Sequence, residues 1–478
     1  MPGEHCMDLW AVVPELVLAG LALVLVPVAG FARGRWLAVP SGAAILGLLA
    51  ALAITAWQPA IGTDAFCGTW AVDRFARFYK LLLELGSLMT VLVLASYFRG
   101  YRQMAQAPLL VLFTTVGGMG LVASLDLGLI ILFLQMVSLS SYLLILLVRS
   151  DRHAQEATLK YFLYGAAALA VMAYGLTFLF GLTGSLELRA IGKGLARADP
   201  VWVAVAFGLV LVGYAFEATL VPFHIWAPDT YTGATAPAAG FISVVPKIAA
   251  FGGLLRLLLE TFPEGAAYWP FVLAAMAVAT MTLGNLVALR QMSLKRLLAY
   301  SSIAQAGYVL IAVAVASRVS SALAAVGFYL LAYLLMNLGA FLVVAQLERA
   351  LGSDHISALR GLGRRSPWPA AAMALCLLSL AGVPPLAGFA GKVFLLSAAF
   401  AGGMTWLAVI GALNMAVGLF YYVRVIAEMY FEAPSSETVV SQGMGYVIGL
   451  VLSIAGTLIF GIAPNLILPL SQAAGLLR

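Results

Sequence analysis

Long apolar runs recur along the chain from end to end, separated by short polar stretches. Each run is about 20 residues long, which is enough for an α-helix to cross a bilayer. The runs do not alternate apolar and polar positions as barrel strands do, so helices remain the way to satisfy the backbone in lipid. The pattern predicts an all-α polytopic membrane protein with about 14 transmembrane helices, at 9–30, 36–58, 76–98, 107–125, 127–148, 157–183, 201–226, 236–259, 268–289, 294–316, 320–347, 368–400, 404–429 and 444–470.

Two of these spans contain an interruption. In span seven, Pro222 comes five residues after Glu217, and Pro228 follows at the head of a stretch that we interpret as a turn. In span twelve, the segment LAGVPPLAGFAGKVFLL (380–396) has two adjacent prolines inside an apolar run. Proline removes a backbone donor and clashes with the preceding turn, so we expect both helices to be broken. Broken helices at corresponding positions of two halves indicate a transport site.

The two interruptions lie five spans apart, which predicts a repeat of five helices. Because five is odd, the two repeats are inverted relative to each other across the membrane. We interpret 1–478 as a single transmembrane domain, made of three N-terminal helices (1–106), a first repeat of spans four to eight (107–259), a second repeat of spans nine to thirteen (268–429) and a C-terminal helix (444–478). Direct similarity between the halves is weak, so this division depends on the broken helices.

Composition supports a membrane location and gives an orientation. The 478 residues are 63% hydrophobic and 10% charged, with a net charge of +6, which excludes a mainly water-exposed protein. Basic residues concentrate in loops that share one side, so we expect that side to be cytoplasmic and both termini to lie outside. The opposite loops still hold a few basic residues: Arg189, Lys193, Arg197 and Arg318. No basic-aromatic surface suggests nucleic acid as a partner.

The three cysteines, Cys6, Cys67 and Cys376, are far apart and form no CxxC motif. Their spacing predicts isolated small residues rather than a metal site or a disulfide framework. We also find no haem, iron–sulfur or flavin signature, since there is no cysteine quartet and no G-x-G-x-x-G before a helix. Any redox chemistry is therefore expected on partner chains.

Four charged residues fall near the middle of predicted spans: Glu84, Glu217, Lys247 and Lys392. A charge at the bilayer centre costs roughly 2.5–3.5 kcal/mol on insertion scales, so such residues usually face a polar cavity and mark ion or proton paths. An interhelical salt bridge that only fixes packing is the alternative. Glu217 and Lys247 lie on adjacent spans and could exchange protons or simply pair. His224, just beyond the break, could relay a proton or make a hydrogen bond that bridges the broken helix.

Three stretches resemble a known family: VPFHIWAPDTYTGATAPAAGF (221–241), ALRQMSLKRLLAYSSIAQAGYVL (288–310) and GVPPLAGFAGKVFLL (382–396). They are similar to the antiporter-like subunits of respiratory complex I, which are related to Mrp antiporters. The YTGATAP string (231–237) is similar to the subunit N (subunit 2) branch rather than to the L and M branches. The resemblance implies 14 helices with two inverted repeats. It also implies proton translocation driven by NADH oxidation and quinone reduction in other subunits.

The resemblance also implies which residues carry protons. Lys247 and Lys392 match the family lysines of spans eight and twelve. Two positions depart from the family, because Gln135 stands where span five has a glutamate and Glu217 stands where span seven has a lysine. Our hypothesis is that the carboxylate has moved to span seven, where it faces Lys247 directly. The alternative is that this half-channel no longer pumps and that only Lys392 and its neighbours conduct.

The family implies partners and a location as well. Expected partners are the M-type antiporter-like subunit, the small K, J and A types, the peripheral redox arm and the lipid bilayer. Quinone, NADH, flavin and iron–sulfur clusters would then be bound by partners, and this chain would hold no catalytic residue, metal or cofactor. The expected location is the bacterial cytoplasmic (inner) membrane. Alternatives are an Mrp-type cation/proton antiporter, a membrane arm of a hydrogenase or of a ferredoxin- or F420-linked complex, and a non-pumping scaffold.

Overall fold

The computed structural model describes residues 8–58, 63–148, 151–262, 269–434, 438–440, 443–467 and 471–472. These residues are almost entirely helical, apart from one small antiparallel hairpin of strands β1 (Thr63–Ala65) and β2 (Trp70–Val72). The helices are α1 (Val13–Phe31), α2 (Ala38–Trp57), α3 (Arg74–Tyr97), α4 (Gln103–Ala123), α5 (Leu127–Val148), α6 (Arg152–Thr183), α7 (Leu188–Leu195), α8 (Pro200–Glu217), α9 (Trp226–Gly233), α10 (Ala236–Thr261), α11 (Trp269–Ala288), α12 (Leu294–Val313), α13 (Ser320–Leu351), α14 (Leu362–Arg365), α15 (Pro367–Ala381), α16 (Ala387–Ala401), α17 (Thr405–Tyr430) and α18 (Met444–Ile462).

The helices match the predicted spans. Within the described residues, 13 helices are long and apolar enough to cross a membrane, and α15 and α16 are two shorter apolar helices. Together α15 and α16 correspond to the broken span twelve, and α8 with α9 corresponds to the broken span seven. The all-helical membrane fold is therefore confirmed. The hairpin and the short helices α7 and α14 were not predicted, because they lie in loops without an apolar run.

Polar side chains fix where several helices begin. Asp73, Asp151 and Ser293 precede α3, α6 and α12, and each accepts a hydrogen bond from a backbone N–H in the first turn. Such caps satisfy donors that have no partner inside the helix. At the other end, α6 and α13 both stop at a glycine with left-handed backbone, Gly184 (φ 70°) and Gly352 (φ 64°). Glycine adopts this conformation without the Cβ clash of other residues.

Two helices form the centre of the bundle. An apolar stretch of 18 residues is 94% buried in α10, and the corresponding stretch is 100% buried in α13. By the same measure α1, α2, α6, α17 and α18 are each 33% buried, so they lie at the periphery with apolar side chains facing outward. This arrangement places Lys247, on α10, in the interior rather than against lipid.

A pair of backbone contacts recurs five spans apart. The turn between α4 and α5 pairs with the segment after α6, through Asp126 and Glu187. The turn between α11 and α12 pairs with the segment after α13, through Ser293 and His355. Because the spans alternate in direction, an odd offset puts these two pairings at opposite ends of the bundle. They support the interpretation of two inverted repeats.

Both broken helices stop in the same way, several residues earlier than the prolines predict. Helix α8 ends at Glu217, and the N–H of Leu220 donates to the carbonyl of Ala215 (2.7 Å) across Thr219, whose φ is 58°. Helix α15 ends at Ala381, and Val383 donates to Leu378 (3.0 Å) across Gly382, whose φ is 91°. This is the Schellman stop, which satisfies the last carbonyls of a helix.

The turn expected around Pro228 is instead the short helix α9. Pro228 is its third residue, where no intrahelical partner exists for a backbone N–H, so proline is tolerated there. The prediction of a turn from this proline was therefore wrong.

The expectation about cysteines is wrong at one position. Cys67 is disulfide-bonded. It lies in the turn of the β1–β2 hairpin, and sequence spacing alone carries no signal for such a pairing. Cys376 is a free thiol buried on α15, as expected, and Cys6 lies outside the described residues.

Candidate functional site

Glu217 is the last residue of α8 and is only 2% exposed. Its Oε2 accepts a hydrogen bond from Ser138 Oγ on α5 (2.8 Å), and its Oε1 is buried without a partner among the described residues. Gln135 lies one turn earlier on α5, is only partly buried, and makes no hydrogen bond with Glu217 in this part of the chain. Ser138, and not Gln135, is therefore the α5 side chain that bonds to Glu217 in the described part of the chain.

The break in span seven is bridged by a tryptophan. Trp226, the first residue of α9, donates from Nε1 to the carbonyl of Phe216 at the end of α8 (3.1 Å). Its ring also stacks on Tyr161 of α6, with ring centroids 4.0 Å apart. His224 is half-buried in the connecting segment, and the bond that crosses the break comes from Trp226 rather than from this histidine.

Lys247 is 1% exposed in the middle of α10. Its Nζ donates to the backbone carbonyl of Ser302 on α12 (3.0 Å) and to the Ser302 hydroxyl. No ion pair joins it to Glu217 in the described part of the chain, so the prediction that Glu217 faces Lys247 directly is wrong. The physical reason is that the carbonyl and hydroxyl of Ser302 offer the ammonium two acceptors on the neighbouring helix.

Further hydroxyls and amides extend from Ser302. Tyr333 on α13 donates to Ser302 Oγ (2.7 Å), and its hydroxyl also lies 3.1 Å from the carbonyl of Ser243 on α10. Asn337, one turn further along α13, donates to Ser243 Oγ (2.6 Å). The surroundings of Lys247 are thus polar but contain no second charge among these contacts.

The adjacent residue on α12 starts a second set of contacts. Ser301 Oγ lies 2.5 Å from the hydroxyl of Tyr422 on α17. Gln305, one turn along α12, donates from Nε2 to the same Tyr422 hydroxyl (3.0 Å) and to the carbonyl of Leu380 (3.0 Å), and Tyr329 donates to its Oε1. Helix α12 therefore carries polar contacts from α10 across to the broken span twelve.

Lys392 on α16 is 2% exposed and completes this line. Its Nζ donates to the carbonyls of Leu380 (2.7 Å) and Ala381 (3.2 Å), which end α15, and lies 4.6 Å from the centre of the Tyr308 ring. The carbonyl end of a helix carries partial negative charge and an aromatic face attracts cations, so both contacts suit an ammonium. We define the buried polar line as Lys247, Ser302, Ser301, Tyr422, Gln305 and Lys392.

Sequence reasoning found the two lysines of the buried polar line but not the residues between them. Ser301, Ser302 and Gln305 are in the sequence as YSSIAQ (300–305), inside an apolar span. Polar residues at positions i, i+1 and i+4 of one span lie on one side of a helix. That pattern could have identified α12 as the connecting helix.

A charged cavity of about 430 Å³ lies at one end of the bundle. Asp229 pairs there with Lys160 (2.9 Å) and Arg296 (2.9 Å), which are all partly exposed. Lys295 is almost buried and pairs with Glu348 (2.8 Å), and it also donates to the carbonyl of Ala234 (2.9 Å). These contacts join α6, α9, α12 and α13 at the end that carries the basic loops.

Two helices that stop and restart within the membrane, each beside a buried charge, define a transporter-type membrane subunit. Residues 124–418 match the family model described as NADH:quinone oxidoreductase/Mrp antiporter, TM. The chain belongs to this family.

Relatives and solved structures agree with this membership. The chain is 37% identical to NADH-quinone oxidoreductase subunit N of Trichlorobacter lovleyi, over 98% of this chain and 97% of the relative. It is 34% identical to a chain of respiratory complex I from Thermus thermophilus with bound aureothin, with a TM-score of 0.82 over 95% of this chain and 98% of that one. A chain of the Mrp complex from Dietzia sp. DQ12-45-1b is 24% identical, with a TM-score of 0.85 over 98% and 97% of the two chains, and shows the same fold.

Proposed function

We propose that this chain is the subunit N-type, proton-translocating membrane-arm subunit of an NADH:quinone oxidoreductase of the complex I type. Relatives that match over almost the full length carry that name. The observation that carries the proposal is the buried polar line, which leads from Lys247 through α12 to Lys392. In this proposal the chain is a non-redox subunit, and the energy for proton movement comes from quinone reduction in partner subunits.

The geometry suggests how each member of the line acts. A hydroxyl donates one hydrogen bond while accepting others, so Ser302 can exchange a proton with Lys247 and Ser301 can exchange one with Tyr422. Passage between the two serines requires a water molecule, because no hydrogen bond joins them among the described residues. Gln305 is an amide that holds its neighbours in place but does not titrate. Passage from Tyr422 to Lys392 therefore requires a water molecule beside Gln305 or a movement of the Lys392 side chain away from Leu380.

Glu217 supplies the titratable group of the first half. Its one bonded oxygen faces the Ser138 hydroxyl, and its other oxygen has no partner among the described residues. Buried polar atoms of this kind are usually satisfied by ordered water. We propose that a proton passes between Glu217 and Lys247 through water, and that His224, in the segment that connects α8 and α9, lies beside this route. The competing possibility is that the substitutions at Gln135 and Glu217 have ended pumping in this half.

The charged cavity marks the side from which protons would be taken up. It lies at the end with the basic loops, which the distribution of arginine and lysine indicates is cytoplasmic. The buried Lys295–Glu348 pair forms part of its wall, next to the backbone that starts α10. Glu348 Oε2 accepts from the N–H of Ala236 (2.7 Å), so this pair links the cavity to the helix of Lys247.

The remaining assignments follow from the same proposal. The chain would lie in the bacterial cytoplasmic membrane with both termini outside. Its neighbours would be an M-type subunit, small K, J and A types and the peripheral arm, where NADH, flavin, iron–sulfur clusters and quinone would be bound. Its repeats would span 107–259 and 268–429, with 1–106 and 444–478 outside them, and the paired contacts at Asp126 and Ser293 support this division.

The test is the ratio of protons translocated to electrons transferred, measured for the assembled complex in membrane vesicles. Glu217→Gln and Lys392→Met should each lower the ratio, because each removes a titratable group from the path. Glu428→Gln is the matched control, since it makes the same carboxylate-to-amide change in the surface pair with Arg360 (2.8 Å). We expect this control to keep the normal ratio.

The result also separates the alternatives. If Lys392→Met lowers the ratio of protons to electrons and Glu217→Gln does not, the first half no longer pumps. A normal ratio in both variants, with the complex assembled, would mean that this chain is a scaffold and would refute the proposed function.

A further inference from the structure

The three N-terminal helices hold a buried charged cluster that the buried polar line does not include. Its members are Glu15 on α1, Thr55 on α2, and Lys80 and Glu84 on α3, and none of them is more than 5% exposed. All four lie toward the end of the bundle that carries the β1–β2 hairpin. Glu84 is ten residues into α3, so it lies about 15 Å from the start of that helix at 1.5 Å per residue.

The contacts leave one carboxylate without a countercharge. Lys80 Nζ lies 2.6 Å from Glu15 Oε1, so these two form an ion pair. Glu84 Oε1 accepts only from the Thr55 hydroxyl (2.7 Å), and Glu84 Oε2 is buried without a partner among the described residues. The cluster thus has two carboxylates and one ammonium. Burying an isolated carboxylate is so costly that such a group binds a proton instead.

Lys80 can serve either carboxylate. Lys80 and Glu84 are four residues apart on α3, which places their side chains next to each other on one face. Glu84 also lies within electrostatic range of Glu15. If Lys80 turns from Glu15 to Glu84, the proton on Glu84 is released and Glu15 is left to take one up. The exchange moves a proton from Glu84 to Glu15 and involves no oxidation or reduction.

The cluster lies close to a cavity at the end of the bundle, which sequence neighbours of its members line. The volume of this cavity is about 470 Å³, and its lining includes Ala11, Ile54 and Trp57. Ala11 is one turn before Glu15, and Ile54 is next to Thr55. In the other direction Ser87 continues the polar face of α3, with its Oγ 2.6 Å from Thr115 Oγ1 on α4. Ser87 thus continues the polar side chains of α3 inward from Glu84, away from that end of the bundle.

We propose that Glu84, Lys80 and Glu15 form a second proton-exchange site, which passes protons between the membrane interior and the outer face through the N-terminal helices. This inference rests on the proposed function, because it assumes that the assembled complex translocates protons. The other possibility for the same contacts is a fixed ion pair that only holds the outer ends of α1, α2 and α3 together.

The experiment uses the assembled complex, with Glu84→Gln compared with Thr90→Val. Thr90 lies on the same helix, is also buried and, among the described residues, bonds only to the carbonyl of Gly86 (2.8 Å), so it controls for a packing change within α3. We expect Glu84→Gln to lower the ratio of protons to electrons and to remove one carboxyl band from the infrared difference spectrum recorded during turnover. Thr90→Val should change neither.

Lys392→Met serves as the reference for the proposed function. If Lys392→Met lowers the ratio and Glu84→Gln does not, the further inference is refuted while the proposed function stands. If neither variant lowers it, the proposed function itself fails.

Glu84→Gln could prevent assembly, and Thr55→Val then provides the test. This change keeps the carboxyl group and removes its hydroxyl donor. A shift of the same infrared carboxyl band in Thr55→Val supports the site, because the band belongs to a group that changes protonation in turnover. Turnover spectra of Thr55→Val identical to those of the unmodified complex would refute it.

Discussion

The buried charges of the central region share one property at the scale of single residues. Glu217, Lys247 and Lys392 are each held by neutral groups, namely the Ser138 hydroxyl, Ser302 and the carbonyls at the end of α15. A buried ion pair is strongly destabilised when one partner loses its charge. Neutral partners impose no such penalty, so each of these residues can gain or lose a proton without leaving an opposite charge unpaired. This suits residues that carry protons in turn.

A comparison of two neighbours on α5 tests which residue supports Glu217. Ser138→Ala removes the hydrogen bond to the Glu217 carboxyl, and bonds to charged groups contribute about 1.5–3 kcal/mol. We expect this variant to lower the proton-to-electron ratio of the assembled complex. Gln135→Ala should leave the ratio close to normal, because Gln135 makes no bond to Glu217 among the described residues. If Gln135→Ala lowers the ratio and Ser138→Ala does not, Gln135 is the functional partner of Glu217.

At the scale of elements, the two broken helices are built alike. Each ends in a Schellman stop at a left-handed residue, Thr219 or Gly382, and each resumes only after the following proline. A freed backbone carbonyl at this depth needs a donor. In span twelve Lys392 and Gln305 supply it, whereas in span seven the Phe216 carbonyl accepts from the Thr219 N–H (3.0 Å) and from the Trp226 indole. In the described residues, the Trp226 indole thus bonds across the break of span seven, whereas Lys392 bonds to the end of α15 in span twelve.

Trp226→Phe should destabilise the fold around span seven. The phenyl ring can keep part of the stack on Tyr161, but the hydrogen bond from the indole to the Phe216 carbonyl is lost. That carbonyl keeps its bond from the Thr219 N–H (3.0 Å), so we expect a loss of about 0.5–1.5 kcal/mol, the net contribution of one hydrogen bond. The measurement is the thermal unfolding midpoint of the purified complex in detergent. Trp202→Phe is the control, because Trp202 stacks on Phe178 at the periphery and is 50% exposed. An equal decrease of the unfolding midpoint in the two variants would show that the hydrogen bond from Trp226 to Phe216 does not stabilise the complex.

At the scale of the whole molecule, charges are sorted to the two ends. One end holds the charged cavity around Asp229 and Glu348. The other holds a network in which Arg256 pairs with Asp73 (2.8 Å) and Arg189 bridges Glu260 and Asp64. Each network joins loops that the alternation of spans puts on the same side. Ion pairs therefore join the helices at the two ends of the bundle, while the charges in its middle bond to hydroxyls and backbone carbonyls.

Orientation can be measured with single cysteines at exposed positions of the two ends. In a background with the native cysteines replaced by serine, Arg152→Cys and Arg197→Cys place thiols at the start of α6 and just before α8. A membrane-impermeant maleimide should label Arg197→Cys in intact cells, and Arg152→Cys only after the membrane is opened. The reverse pattern would place both termini in the cytoplasm.

Much of this architecture is predictable because the bilayer imposes strong rules on sequence. Apolar runs of spanning length, and the charges that interrupt them, are visible without any knowledge of packing. The spans, the two breaks and the buried positions of Glu217, Lys247 and Lys392 were predicted in this way and are present. The exact ends of α8 and α15 were not, because a left-handed residue such as Thr219 leaves no clear trace in the sequence.

The amino-acid sequence by itself determined the membrane class, the approximate helices and which charges lie inside, because each depends on the local balance of apolar and polar residues. Only the tertiary structure decided the partners of those charges. Ser138 rather than Gln135 contacts Glu217, and Ser302 rather than Glu217 contacts Lys247. The partner of a buried charge depends on how neighbouring helices rotate and pack. A hydroxyl in an apolar span forms no sequence pattern that indicates which charge it will contact.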